Sequence, residues 1–139
     1  MLISFSTFGQ VVEDSLAANS DNRTEEIIFT KAEVMPKFKN GVESFTDTLK
    51  KYLLNSEFGL KRDFLCLRFV VDKLGNVKNM DLLLNKYPYL RDFADKIVEF
   101  IKNYNGLILP ARQNSYPVNC YKSICIDVTR KEITVTETN

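Results

Sequence analysis

The stretch DFLCLRFVVDKLGNVKNMDLLL, at residues 63–84, decides the fold. From Asp63 to Asp72 an apolar set of residues alternates with a mixed set, which predicts a strand with one fully buried face. Gly75 lies in the polar turn that follows, where glycine permits a tight reversal of the chain. Val77 to Leu84 then returns as a second strand, so the stretch predicts a β-hairpin.

A helix is predicted before the hairpin. Asn40 is placed to act as its N-cap, and Glu43, three residues later, can complete a capping box. Apolar residues then recur at three- and four-residue intervals, which indicates a stripe that faces a core. These residues are Val42, Phe45, Leu49, Tyr52 and Leu53. We expect the helix to end near Asn55 to Gly59.

A second helix and a last strand are predicted after the hairpin. Pro88 suits a first helical turn, and Gly106 suits the end of a helix. Pro110 to Pro117 is predicted to be a loop. Val118 to Val128 is predicted to be a strand, in which Lys122 breaks the alternation and indicates a bulge or an exposed strand end. The apolar stripe of the second helix consists of Leu90, Phe93, Ala94, Ile97, Val98, Ile101 and Tyr104.

This order of elements predicts an α+β fold, in which two helices pack on one face of a small, three- or four-stranded antiparallel sheet. Short additional strands are possible at Ile27 to Phe29 and at Glu132 to Thr136. Residues 1–10 are interpreted as the remnant of a signal peptide, and residues 11–32 as a polar leader or linker. Residues 33–139 are then the folded domain, whose length fits one core.

The composition removes several classes of function. The chain has no histidine, which excludes Ser/His/Asp triads, Cys/His dyads and histidine-ligated metal sites. A formal net charge of +1 gives no electrostatic reason to expect nucleic acid or an anionic membrane as the main partner. No run of about 18 apolar residues occurs, so no transmembrane segment is predicted. We therefore expect no enzymatic activity, no catalytic residue, no metal and no cofactor.

An enzyme that uses lysine or carboxylate groups is the alternative from a different class. It would need a deep pocket in which several titratable groups converge. The candidate carboxylates Asp92, Asp95 and Glu99 are predicted to lie on a solvated face of the second helix, which favours a binding protein over an enzyme.

The three cysteines leave two alternatives open. Cys66 and Cys125 could face each other if their strands are neighbours, whereas Cys120 and Cys125 are about 16 Å apart on one extended strand and cannot form a bond. We expect buried free thiols, with a Cys66–Cys125 disulfide as the alternative.

Several short motifs together resemble the C-terminal domain of TonB, as found in the energy-transducer proteins of Bacteroidetes-type bacteria. An extended arm matches at Met35-Pro36-Lys37-Phe38, and a hairpin motif matches at Phe69-Val70-Val71-Asp72 with Gly75 and Val77. Pro110-Ala111 matches the segment that follows the second helix, and Pro117-Val118 matches the start of the last strand. The resemblance covers about residues 33 to 128.

The resemblance implies a periplasmic protein of a Gram-negative bacterium that takes part in transport across the cell envelope. Its partner would be an extended peptide, such as the TonB box of an outer-membrane receptor, added to a free sheet edge formed by Val118 to Val128. The alternatives are an accessory envelope domain that forms a homodimer through this edge, and a strand that is simply framework, covered by Glu132 to Thr136. The candidate partner-binding residues are Asn119, Tyr121, Ser123, Ile124, Cys125, Ile126 and Asp127.

Overall fold

The computed structural model describes residues 27–87 and 91–138. The predicted signal-peptide remnant at residues 1–10, and the predicted leader up to residue 26, lie outside the described residues. The described residues form two helices, α1 (Val42–Leu54) and α2 (Arg91–Lys102). The strands are β1 (Ile28–Phe29), β2 (Lys37–Phe38), β3 (Asp63–Val71), β4 (Val77–Asn85), β5 (Ile108–Leu109), β6 (Ala111–Gln113), β7 (Tyr116–Val128) and β8 (Ile133–Glu137).

Within the described part of the chain, the long strand β7 organises a six-stranded sheet. One side of β7 pairs with β3 in antiparallel fashion, and β3 pairs in turn with β4. The other side of β7 pairs successively with β6, β1 and β8. The β1–β7 pair is parallel, which makes the sheet mixed. Strands β2 and β5 form a separate antiparallel ladder.

The α+β class with two helices is confirmed, but the predicted sheet of three or four antiparallel strands is wrong. The sequence underestimated the sheet because β7 is 13 residues long and accepts three short neighbours in series along one side. Two of those neighbours, β1 and β8, coincide with the segments that were predicted as possible additional strands.

Both helices pack on the same face of the sheet and enclose one apolar core. Phe45, Leu49 and Leu53 of α1 are fully buried, and Val42 and Tyr52 pack at the core boundary, as the helical stripe predicts. The sheet contributes alternate residues of β3 and β7 to the core. The fully buried sheet residues are Leu65, Leu67, Phe69, Val71, Ile124, Ile126 and Val128.

The predicted cap of the first helix is wrong. The N-cap position is occupied by Gly41, and no side chain makes a capping hydrogen bond there. Gly41 adopts a φ of 90°, and its amide donates to the carbonyl of Phe38 at 3.0 Å. The chain therefore turns sharply from β2 into α1 through a conformation that favours glycine, and Asn40 lies outside the cap.

The hairpin turn between β3 and β4 is held by the carboxylate of Asp72. Its Oδ1 accepts hydrogen bonds from the amides of Leu74 and Asn76, both at 2.9 Å. Gly75 has a φ of 84° and lies directly against the carbonyl of Ile108, where a Cβ atom would approach the oxygen to 2.6 Å. The turn thus docks onto the segment around β5, a contact that requires glycine in both conformation and size.

The predicted loop from Pro110 to Pro117 is a second hairpin. Strands β6 and β7 pair from Ala111 opposite Val118 to Gln113 opposite Tyr116. The two connecting residues, Asn114 and Ser115, have φ values of 53° and 69°. A two-residue turn with both φ values positive matches the twist of the strands it joins, although neither residue is glycine.

Candidate functional site

Strand β7, predicted to be the free edge of the sheet, lies inside it. Residues 120–128 pair with β3 on one side. On the other side Val118 pairs with β6, Asn119 and Cys120 pair with β1, and residues 124–128 pair with β8. The alternative in which this strand is framework covered by the Glu132 to Thr136 segment describes the structure better, because that segment supplies most of β8.

The predicted partner-binding residues divide between the two faces of the sheet. Ile124 and Ile126 are fully buried under the helices. Asn119 is 6% exposed, and its side-chain oxygen accepts a hydrogen bond from the amide of Lys73. The remaining four residues lie on the opposite face of the sheet, the helix-free face, which no helix among the described residues covers. They are Tyr121, Ser123 and Cys125, which are half-buried, and Asp127, which is exposed.

Lys122 is not at a bulge or at an exposed strand end, contrary to prediction. Its side chain points toward the core and is 1% exposed. The ammonium group donates to the carbonyl of Pro36 at 3.0 Å and to the carboxylate of Glu137 at 2.6 Å. It also lies over the ring of Phe38, at 4.9 Å from the centroid. Lys122 therefore ties β7 to the extended arm before β2 and to the end of β8.

The long open edge of the sheet is β4, which pairs only with β3 among the described residues. This edge is nine residues long. Two adjacent apolar side chains are exposed on it, Leu83 by 57% and Leu84 by 47%. Among the described residues, the other edge is shared by β6, β1 and β8, and the longest of these, β8, has only five residues.

The backbone of β4 presents hydrogen-bonding groups on its open side. Cys66 and Cys125 lie 4.0 Å apart at their Cα atoms, which identifies a non-hydrogen-bonded pair between β3 and β7. The N–H and C=O groups of Cys66 therefore point toward β4, and by alternation those of Leu67 point toward β7. Leu82 is the partner of Leu67 on β4, so its backbone groups point away from β3.

A hydrogen bond at the start of β4 agrees with this alternation. Like Leu82, Val77 directs its backbone N–H and C=O groups away from β3. Its amide donates to the side-chain oxygen of Asn105 at 2.8 Å. Asn105 thus satisfies the first outward group of the edge.

Two irregularities shape the open edge. The register with β3 shifts between Val70 and Arg68, where Asn79 has a φ of 52°. It shifts again between Leu67 and Cys66, where Leu83 is the extra residue. Such bulges limit pairing with another strand and also redirect side chains. The second bulge is the reason that Leu83 and Leu84 are both exposed.

The helix-free face beside this edge carries a disulfide. Cys66 and Cys125 are directly opposite each other and are bonded. Leu84 is opposite Cys66 on the other side, and Phe64 is half-buried one pleat away on β3. The open edge is therefore flanked by an apolar surface made of Phe64, Leu84 and the disulfide.

An arginine links the charged part of the same face. The guanidinium of Arg68 lies over the ring of Tyr121, 4.5 Å from the centroid, and 3.5 Å from the carboxylate of Asp81 on β4. Val70, directly opposite Tyr121, is 3% exposed. Asp81 is the one acidic side chain that β4 places on this face.

The expectation of free thiols is wrong for Cys66 and Cys125 and holds for Cys120. Sequence reasoning recognised the pair but could not place the two strands side by side. Cys120 is buried and unbonded. Burial raises the pKa of the Cys120 thiol to about 12, which leaves almost no thiolate at neutral pH and makes this thiol unreactive.

The described residues contain no group of three or more histidine, cysteine or acidic residues that could hold a metal ion. A shallow cavity of about 510 Å³ beside the arm is lined by Glu33, Lys37, Lys122 and Glu137, but Lys122 is already paired there. No helix in the described part of the chain is long and apolar enough to cross a membrane.

Comparison with protein-family models, with curated proteins and with solved structures finds no match to this chain. The resemblance to the TonB C-terminal domain therefore stays a prediction from the sequence motifs. The functional argument depends on the geometry of the sheet edge and its neighbours.

Sequence reasoning missed β4 as the candidate site. The signal was present in the segment NMDLLLN at residues 79–85, which lacks the strict alternation of an internal strand. Three consecutive leucines of a half-buried strand indicate a bulge or an exposed apolar position, and both occur here.

Proposed function

We propose that this chain is a periplasmic protein-interaction module, not an enzyme, and that it binds an extended segment of another protein by strand addition to β4. The single observation that carries the proposal is the open side of β4 at Leu82, next to the exposed Leu83 and Leu84. The TonB box of an outer-membrane receptor is the partner that the sequence resemblance implies.

The backbone at this edge supplies the binding energy for an extended peptide. Outward N–H and C=O groups pair with a strand of any sequence, and the partner's alternate side chains then provide selectivity. Between the bulges at Asn79 and Leu83 the strand is regular for only three residues. The added strand is therefore short and is centred on Leu82.

The side chains favour a partner with an apolar residue on the helix-free face. Beyond the bulge at Leu83, an added strand would place alternate side chains on the helix-free face. Those side chains would contact Phe64, Leu84 and the disulfide. Burying a leucine-sized side chain stabilises a complex by about 1.5–3 kcal/mol. Asp81, three residues earlier, would face the same strand with a negative charge.

Asp81 also disfavours a second copy of the same strand as the partner. Met80 and Leu82 flank Asp81 and have the same backbone orientation. A symmetric β4–β4 pairing that uses these outward groups sets two Asp81 carboxylates opposite each other, and like charges in that position are destabilising. The accessory-dimer alternative is therefore not favoured at this edge, and a different chain fits it better.

The disulfide supports an oxidising compartment such as the periplasm. Structural disulfides persist outside the cytosol and are rare within it. The Cys66–Cys125 bond joins two central strands on a half-buried surface, as expected for a protein that folds after export.

The proposal is tested by adding synthetic receptor peptides to isotope-labelled protein and following backbone amide signals by NMR. Shifts are expected on residues 80–85 and on Phe64. Leu82→Pro should abolish binding, because proline removes an outward N–H while leaving the bonds between β3 and β4 in place.

A matched control is available on the other edge. Val135 of β8 is opposite Ile126, has the same outward backbone orientation as Leu82, and is likewise half-buried. Val135→Pro should cost similar stability and leave peptide binding intact. Equal binding by the two proline variants, or amide shifts centred on β8, would contradict strand addition to β4.

A further inference from the structure

We propose that one end of this domain docks onto an anionic lipid surface through a basic and leucine-rich face. This basic–leucine face is defined by Leu74 in the hairpin turn, Leu107 and Leu109 around β5, and three lysines. The lysines are Lys37 and Lys39 of the arm and Lys73 of the turn. The proposal does not depend on peptide binding at β4.

The ladder of β2 and β5 builds the first half of the face. Lys37 is opposite Leu109, and the amide of Lys39 donates to the carbonyl of Leu107 at 2.9 Å. Phe38 and Ile108, the residues between them, point inward and are 3% and 2% exposed. By alternation the two lysines and two leucines point outward together, and all four are exposed.

The turn between β3 and β4 forms the second half of the basic–leucine face, on the side of β5 that does not pair with β2. The carbonyl of Ile108 points away from the arm and contacts Gly75, and the amide of Gly106 donates to the carbonyl of Gly75 at 3.1 Å. Leu74, the residue before Gly75, is 77% exposed. Leu107 and Leu109, on the neighbouring segment, are 41% and 43% exposed.

The charge of this face is locally positive although the whole chain is nearly neutral. Lys37, Lys39 and Lys73 are exposed, and Lys102 ends α2 just before the same loop. Asp72, the acidic residue of the turn, is 7% exposed and accepts hydrogen bonds from the turn amides. These lysines are spread over residues 37–102 in the sequence, and the fold brings them together.

The composition of the face fits a lipid headgroup layer better than an acidic protein. Centres of protein interfaces are enriched in aromatic residues and arginine and depleted in lysine, and leucine is under-represented among their hot spots. Protruding leucines surrounded by lysines are typical of surfaces that insert shallowly into an anionic membrane. Each lysine near such a surface strengthens binding by about fivefold.

Docking at this end keeps the candidate peptide site accessible. The turn is at one end of the β3–β4 hairpin, and β4 extends away from it over nine residues, or about 30 Å. The open edge would therefore project from the lipid surface instead of being covered by it.

The chain has no tryptophan, so one introduced indole reports insertion directly. We expect Leu74→Trp to show a blue-shifted emission with vesicles of phosphatidylglycerol and phosphatidylcholine, and no shift with phosphatidylcholine alone. Leu54→Trp is the matched control, because Leu54 is 54% exposed at the far end of α1, about 20 Å away. Its emission should not change.

Sedimentation with the same vesicles gives a second readout. Lys39→Gln should lower the partition coefficient about fivefold, and Lys51→Gln, at the other end of α1, should leave it unchanged. An unshifted Leu74→Trp emission, equal effects of the two lysine variants, or binding to polyglutamate without binding to anionic vesicles would overturn the proposal.

Discussion

Cys66 and Cys125 are bonded directly across β3 and β7, with their Cα atoms 4.0 Å apart, on the face of the sheet that neither α1 nor α2 covers. The two residues are 59 positions apart in the chain, so the bond closes a long loop. It connects β3, the neighbour of the open-edge strand β4, to β7, the strand that organises the whole sheet.

The disulfide should stabilise the domain by about 2–4 kcal/mol, because it restricts the unfolded chain. Cys66→Ala/Cys125→Ala should lose that amount in denaturant-induced unfolding, whereas Cys120→Ala should lose only packing contacts, because Cys120 is buried and unbonded. Alkylation of denatured protein without reductant should modify one thiol, and with reductant three. Modification of three thiols without reductant would exclude the bond.

Gly75→Ala should destabilise the domain by about 2–4 kcal/mol. A Cβ at this position meets the carbonyl of Ile108 at 2.6 Å, in a backbone conformation that alanine disfavours. Gly106→Ala is the control, since Gly106 has a φ of 79° but nothing within 4 Å of an added Cβ. Its cost should be about 1–2 kcal/mol from conformation alone. Equal free energies of unfolding for the two variants would contradict the close contact at Gly75.

Glu137→Gln should destabilise the domain more than Lys122→Met. Removing the carboxylate leaves the buried ammonium of Lys122 without its charge partner, at a cost of about 1–3 kcal/mol. Removing the ammonium leaves a carboxylate that is 39% exposed and remains hydrated. Methionine would pack against Phe38 and keep stability within about 1 kcal/mol of the parent. Chemical denaturation measures both, and the reverse order would show that this ion pair does not secure β8.

Asp63 and Asp72 should give opposite pH dependences. Burial raises the pKa of Asp63, and its Oδ2 is buried without a hydrogen bond. Its contribution to stability is therefore present below pH 3.8 and is lost as the pH rises through the folded-state pKa. Asp63→Asn should stabilise the protein at pH 7, by about 1 kcal/mol, and have no such benefit below pH 3.8.

At Asp72 burial acts to raise the pKa, but hydrogen bonds from the amides of Asn76 and Leu74, together with Lys78, outweigh it and lower the pKa. Its contribution is present above pH 3.8 and is lost as the pH falls through the folded-state pKa. Asp72→Asn should therefore destabilise the protein at pH 7 and flatten the acid limb of the stability curve. Parallel pH profiles for the Asp63 and Asp72 variants would contradict the assigned environments.

The hairpin and the helical stripes were readable from the sequence because their signals are local. Alternation from Leu65 to Val71 and the spacing of Phe45, Leu49 and Leu53 each report burial of one face of one element. The α1 cap was misread because glycine at position 41 turns the chain by itself, and a side chain at Asn40 is not required.

The candidate site could not be read in the same way. Whether β7 or β4 is the edge depends on which short segments pair with β7. Hydrogen bonds between strands produce no periodic pattern in the sequence of either strand. Lys122 shows the same difficulty. A lysine at a core position is tolerated here because its ammonium donates to the distant carbonyl of Pro36 and is paired with the carboxylate of Glu137.

The sequence by itself determined the class of the domain, the two helices, the central hairpin and the set of residues that must be buried, since the hydrophobic effect acts residue by residue on each periodic pattern. Only the tertiary structure decided the order of the strands, the Cys66–Cys125 bond, the open edge at Leu82 and the grouping of Leu74 with Lys39. These features join residues that are far apart in the chain, and the contacts that join them form only when the chain has folded.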